Sequence, residues 1–132
     1  VDLQEWRERI GPVYQRLEQR DAIAVVQRHL DAVARRDPVA MAADYHLTAT
    51  LTRDSTPLDG WMEIADYFDG VPERLSGSTF AVETLSETRP GHVVSEWSIT
   101  QPDGAIIRGS DQFTVEAGRI SAQQVQLDSN DF

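Results

Sequence analysis

Apolar positions divide the chain into a first half with helical spacing and a second half with the two-residue period of strands. In "AIAVVQRHLDAVARR" Ile23, Val26, Leu30 and Val33 recur every three or four residues, which predicts an amphipathic helix that Asp21 can cap. His29 sits on the shoulder of that stripe. Asp37 followed by Pro38 is an N-cap and first-turn pair, so a second helix, "PVAMAADYH", is predicted over 38–46. "WMEIADYFDGV" predicts a third, with Trp61, Ile64, Ala65 and Phe68 on its buried side. Ahead of these, "DLQEWRERIGPVYQRLEQRD" is charged and helical in pattern, and the "GP" at 11 and 12 is expected to break it.

"LTATLTR" alternates, with Leu47, Ala49, Leu51 and Arg53 on one face and three threonines on the other, and "DSTPLDG" after it is turn chemistry. Four further strands follow, "STFAVETLSETR", "GHVVSEWSIT", "AIIRGSDQFTVE" and "RISAQQVQL", separated by "PG", "PDG" and "AGR". Helices first and an antiparallel meander afterwards predict an α+β fold. In it three to four N-terminal helices pack on one curved, mostly antiparallel sheet, a cone-shaped barrel around an apolar pocket. No repeat, low-complexity run or Gly/Ser linker interrupts the pattern, so a single domain over 1–132 is expected, with a lead-in helix at 1–20 and a core at 21–127.

One strand carries a chemical problem. In "RGSDQFTV" the alternation puts Asp111 on the face of Ile107, Gly109, Phe113 and Val115, and Arg108, Ser110, Gln112 and Thr114 on the other. A carboxylate among apolar side chains must find a cation, find donors or keep its proton. Arg53 extends the apolar face of its own strand in the same way. An ion pair between the two would explain both without any function. A lone histidine such as His29 on an apolar stripe is commonly a core residue satisfied by a carbonyl.

Composition narrows the field. Twelve basic residues against 22 acidic ones give a net charge of -10, which repels phosphate backbones and argues against a nucleic-acid partner. With no cysteine there is no disulfide, no thiolate metal site and no cysteine nucleophile. The three histidines are scattered without ligand spacing, so no metal is expected, and His46 and His92 read as solvated. No stretch approaches a membrane span and "VDLQEWRERIG" lacks the apolar core of a signal peptide, so no membrane association and a cytoplasmic location are expected. Glu5, Glu8, Asp66, Asp69 and the closing "DSND" read as surface acids, and Phe132 either folds over a cavity mouth or frays.

"AVVQRHLDAVARRD", "TATL", "DGWMEIADYF" and "RGSDQF" followed by "GRI" together resemble the nuclear transport factor 2-like superfamily, particularly its SnoaL-like and ketosteroid isomerase-like branches, over residues 21–127. The resemblance implies helices on a curved sheet, a homodimer through the outer face of that sheet, where strand alternation places Glu96 and Arg108, and a small hydrophobic ligand. Members include isomerases, dehydratases, polyketide cyclases and epoxide hydrolases. In the isomerase branch a helix tyrosine and a strand carboxylic acid donate hydrogen bonds to an enolate oxygen, positions that fall here on His29 and Asp111. The proton-abstracting aspartate falls on Arg53, with Asp54 next to it. A guanidinium cannot abstract that proton, and Asp54 points to the opposite side of a regular strand, so steroid isomerisation is not expected.

These readings lead to the expectation of a small-molecule enzyme of isomerase, dehydratase or cyclase type. It would do cofactor-free acid/base chemistry on a hydrophobic cyclic carbonyl compound. Asp111 would raise the pKa of His29 and move the proton with it, while Arg53 stabilises developing negative charge. Tyr45, Trp61, Phe68, Trp97 and Phe113 are the expected cavity-lining side chains, with Phe80 as core. Two alternatives remain open. One is an epoxide hydrolase in which Asp111 and Arg53 activate water and Asp54 is the candidate second acid. The other is a non-catalytic ligand-binding or dimerisation module with a filled core. A cavity of roughly 300 Å³ opening onto Asp111 separates an enzyme from a module.

Overall fold

A computed structural model describes residues 2–129 and 132. The first helix, α1 (Leu3–Glu18), starts at a capping box: the Asp2 carboxylate accepts the Glu5 amide, and the Glu5 carboxylate accepts the Asp2 amide. It runs unbroken through Pro12, against the break expected at "GP". No residue of α1 is buried, so the carbonyl that proline leaves unbonded can be hydrated.

Helix α2 (Ala22–Arg35) is capped by Asp21 and buries Val25, Val26, His29, Leu30, Ala32 and Val33. Helix α3 (Pro38–Ala43) is shorter than predicted, because Tyr45 and His46 belong to the following strand, β1 (Tyr45–Arg53). Parallel pairing of β1 with the last strand overrides the local helical pattern, and an irregularity between Tyr45 and Thr50 leaves Leu47 exposed rather than on the buried face. "DSTPLDG" contains a strand as well as a turn: Asp54 and Ser55, both at positive φ, reverse the chain into β2 (Thr56–Asp59). Helices α4 (Trp61–Asp69) and α5 (Val71–Arg74) follow.

The meander is β3 (Thr79–Arg89), β4 (His92–Thr100), β5 (Ile106–Glu116) and β6 (Arg119–Leu127). The six strands form one curved, unclosed sheet in the order β2-β1-β6-β5-β4-β3, antiparallel except where β1 meets β6. Helix α2 lies across β3 to β6 and α4 packs on β1, so the concave face and the helices enclose the core. Alternation holds in β4, where Val93, Ser95, Trp97 and Ile99 are buried, and in β5, where Ile107, Asp111, Phe113 and Val115 are buried. Glu96 and Arg108 are exposed on the other face. A bulge between Thr114 and Val115 on the β5–β6 ladder changes the parity of β6, which buries Ile120, Gln123 and Val125. Residues 130 and 131 of the closing "DSND" lie outside the described residues.

Candidate functional site

The position of Asp111 follows from the register of three strands. Ser95 on β4 lies directly opposite Asp111, Trp97 lies opposite Gly109, and Gln123 on β6 lies opposite Phe113. All four polar side chains therefore converge on the concave face. Ser95 Oγ donates to Asp111 Oδ2 at 3.2 Å, Trp97 Nε1 donates to the same oxygen at 2.9 Å, and Gln123 Nε2 donates to Oδ1 at 3.2 Å. Of the answers open to a buried carboxylate, this chain uses neutral donors and no cation. Burial raises the Asp111 pKa to about 6 against the opposing pull of Gln123, Trp97 and Ser95.

Gln123 is itself oriented by Tyr45, whose hydroxyl donates to Oε1 and so leaves the amide nitrogen aimed at Asp111. The Tyr45 oxygen also lies 3.5 Å from His29 Nε2. His29 Nδ1 is 2.8 Å from the Met41 carbonyl, which can only accept, so Nδ1 carries the proton and Nε2 a lone pair. Tyr45 and Gln123 stand between His29 and Asp111, and because the Tyr45 proton goes to Gln123, the 3.5 Å approach of its oxygen to the Nε2 lone pair is a contact and no hydrogen-bonded chain joins the two. The expectation that Asp111 raises the histidine's pKa is reversed: loss of hydration lowers it to about 4, outweighing the Met41 carbonyl and the more distant Asp44 charge. At neutral pH His29 is an uncharged imidazole, and the group that titrates near neutrality is the carboxyl.

Arg53 is not brought to Asp111. It stands at the end of β1 on the rim of the cone, its guanidinium carbon 5.7 Å from the centre of the Phe132 ring. The ion pairs among the described residues join Asp44 to Arg20 at 2.9 Å and to Arg28 at 3.6 Å, and neither involves Arg53. Asp54, beyond it in the hairpin turn, is exposed and accepts the Leu127 amide at 3.4 Å.

His29 and Asp111 both line a cavity between sheet and helices, with Phe68, Trp97, Phe80 and Phe132 among its walls. It encloses about 50 Å³, well below the size set out above for an open ligand site. Phe132 forms part of its wall, with its ring 6.5 Å from that of Trp97. Of the five expected lining residues, Phe68 and Trp97 face the cavity. Tyr45 and Phe113 lie behind it, with ring centres 5.4 Å and 5.8 Å from His29. Trp61 is turned away, its Nε1 donating to the Ala42 carbonyl at 2.9 Å and bracing α4 against α3. Among the described residues, no group of three or more histidine, cysteine or acidic side chains could hold a metal, and no helix is long and apolar enough to cross a membrane.

Ser95, Gln123 and Tyr67, which also lines the cavity, were not anticipated. Ser95 could have been found, since "VVSEWSI" places a hydroxyl on the same apolar face as Trp97. Gln123 could not, because the bulge breaks the parity that would point to it.

The sequence model of the SnoaL-like domain matches residues 26–123. No curated protein sequence matches the chain. Among solved structures, it is similar to an NTF2-like protein of unknown function from Mesorhizobium loti, with 17% identity over 82% of this chain and 91% of that one and a TM-score of 0.72. It is also similar to a Sinorhizobium meliloti protein for which polyketide cyclase activity has been suggested, with 15% identity, coverage of 78% and 94%, and a TM-score of 0.68. A third likeness is to the epoxide hydrolase/cyclase-like enzyme SalBIII of salinomycin pyran-ring formation, with 17% identity, coverage of 83% and 92%, and a TM-score of 0.68.

Proposed function

Because the chain belongs to the SnoaL-like domain family, we propose that it is a small-molecule enzyme doing cofactor-free proton transfer on a hydrophobic cyclic carbonyl compound, with Asp111 as the proton-carrying group. The observation that supports this is a buried carboxyl held by three neutral donors, facing a cavity, with a pKa of about 6. A structural carboxylate would be expected to meet a cation. This one is held ready to gain or lose a proton near neutrality. In its ionised form Asp111 takes the proton α to the carbonyl, the electron pair moves to the carbonyl oxygen, and the carboxylic acid returns the proton to a different carbon or to a departing hydroxyl. The outcome is isomerisation or dehydration. His29, neutral and fixed by Met41, contributes a lone-pair nitrogen and a rigid wall rather than a second acid.

The epoxide hydrolase reading has less support, because water activation by an aspartate and arginine together needs the two groups side by side, and Arg53 sits at the rim against Phe132. The non-catalytic module reading is favoured by one observation, the small cavity under Phe132. Proton exchange separates it from the enzyme. Incubated with a panel of cyclic ketones in D₂O, the protein should accelerate deuterium uptake at the α-carbon. The rate should rise with pH through about 6 as Asp111 ionises, and should fall by about 10² or more in Asp111→Asn. Absence of any exchange that depends on Asp111 would leave the module as the better account.

A further inference from the structure

The rim of the cavity holds two arginines on one aromatic ring. The guanidinium carbon of Arg53, at the end of β1, lies 5.7 Å from the centre of the Phe132 ring, and that of Arg74, in α5, lies 5.4 Å from the same point. Neither arginine has an ion-pair partner among the described residues, although the chain carries an excess of acids. Arg74 is further steered by Tyr67, stacking over its ring at 4.8 Å and donating from Nη2 to its carbonyl at 3.2 Å. Arg53, Arg74, Tyr67, Thr56, Leu58 and Asp54 line a cleft of about 420 Å³, and Tyr67 is the wall it shares with the cavity of Asp111. Asp54 is the acid of this cleft, and its Oδ1 accepts the Leu127 amide.

We propose that this cleft is the anion subsite of the ligand pocket, so that the ligand is an aromatic or unsaturated cyclic carboxylate whose ring takes the place of Phe132 and whose carboxylate is held by Arg53 and Arg74. Phe132 then acts as an internal stand-in for the ligand ring, seated between the indole of Trp97 and the two guanidinium groups. Planar guanidinium groups stack on aromatic faces and grip carboxylates through paired N–H donors, so one arginine pair serves both the occupied and the liganded state. The charge logic agrees. A molecule of net charge -10 repels an anion at long range, and two cations without an ion-pair partner among the described residues supply the local attraction at the mouth.

The proposal rests on the cavity beneath Phe132 being the ligand cavity of the proton-transfer reading, and the test separates the two. The probes are 2-naphthoate and its neutral counterpart 2-naphthalenemethanol, titrated calorimetrically into the wild-type protein, Phe132→Ala, and Phe132→Ala combined with Arg53→Gln or Arg74→Gln. Thermal melts verify that each variant is folded. Phe132→Ala should bind both probes more tightly than wild type and should prefer naphthoate by about tenfold. Either arginine substitution should reduce that preference toward one. If both probes bind Phe132→Ala equally well, or if neither arginine change alters the preference, the carboxylate clamp is wrong while the cavity reading stands. If neither probe binds Phe132→Ala at millimolar concentration, the clamp fails together with the pocket on which it depends.

Discussion

Gly109 makes room for the side chain that holds Asp111. A Cβ added there would lie 2.3 Å from the Trp97 ring, directly across the β4–β5 ladder, so only a residue without a side chain lets the indole lie flat and bring Nε1 to the carboxylate. Gly109→Ala is expected to displace the indole, at a cost of about 1–3 kcal/mol typical of overpacking. Because the Trp97 hydrogen bond favours the charged carboxylate, its loss should raise the Asp111 pKa above its present value. Carbon NMR titration of the Asp111 carboxyl beside a thermal melt checks both effects. An unmoved titration midpoint would mean that Trp97 does not tune the acid. At this scale the sequence was informative about where a residue sits and silent about its partners. Alternation placed Asp111 inside correctly, but the donors come from β4 and β6, and only the folded register brings them within reach.

Among the elements, regular alternation was the legible part, and the misreadings lie at the proline of α1, at a turn and where a ladder is irregular. Strands β4 and β5 obey a two-residue period, and β5 was read face by face, whereas in β4 Ser95 went unnoticed beside Trp97. Tyr45 was misassigned to a helix because β1 gains its first residue from pairing with Ile120 rather than from local preference. Strand β2 was hidden in turn residues because Asp54 and Ser55 form the turn itself. The legible outer face also carries a prediction. From β4 to β6 it presents Val94, Ser98, Ser110, Gln112, Thr114, Ala122, Gln124 and Gln126, with the acids Glu96 and Glu116 matched by the bases Arg108 and Arg119. Two copies of a molecule with net charge -10 meet at least electrostatic cost where acids are few and matched by bases, and this face is where they can do so. The protein is expected to sediment as a homodimer at micromolar concentration, and Gln112→Glu with Gln124→Glu should dissociate it. A monomeric wild type would refute the interface.

On the scale of the whole molecule, His29 and Asp111 act on stability in opposite directions, and their effects should cancel over a defined pH window. The folded state lowers the histidine pKa from 6.5 to about 4, so it disfavours the imidazolium; the stability linked to His29 is present above pH 6.5 and is lost as pH falls from there to about 4. The folded state raises the carboxyl pKa from 3.8 to about 6, so it disfavours the carboxylate; the stability linked to Asp111 is present below pH 3.8 and is lost as pH rises from there to about 6. Between about pH 4 and 6 the unfolded chain carries an imidazolium and a carboxylate, whereas the folded protein carries neither charge. Folding therefore moves one proton from His29 to Asp111 without net uptake, and the two slopes, each up to about 1.4 kcal/mol per pH unit, offset one another. Relative to wild type, Asp111→Asn leaves the histidine slope exposed, so its stability should rise with pH across this window. His29→Gln leaves the carboxyl slope exposed, and its stability should fall with pH. Urea melts of the three proteins at half-unit pH intervals, taken as differences from wild type, cancel what the remaining acids contribute to all three. Two difference curves that run parallel, instead of opening in opposite directions, would show that the buried pair does not exchange a proton on folding. The neutral imidazole and half-titrated carboxyl assigned to the cavity would then have to be given up.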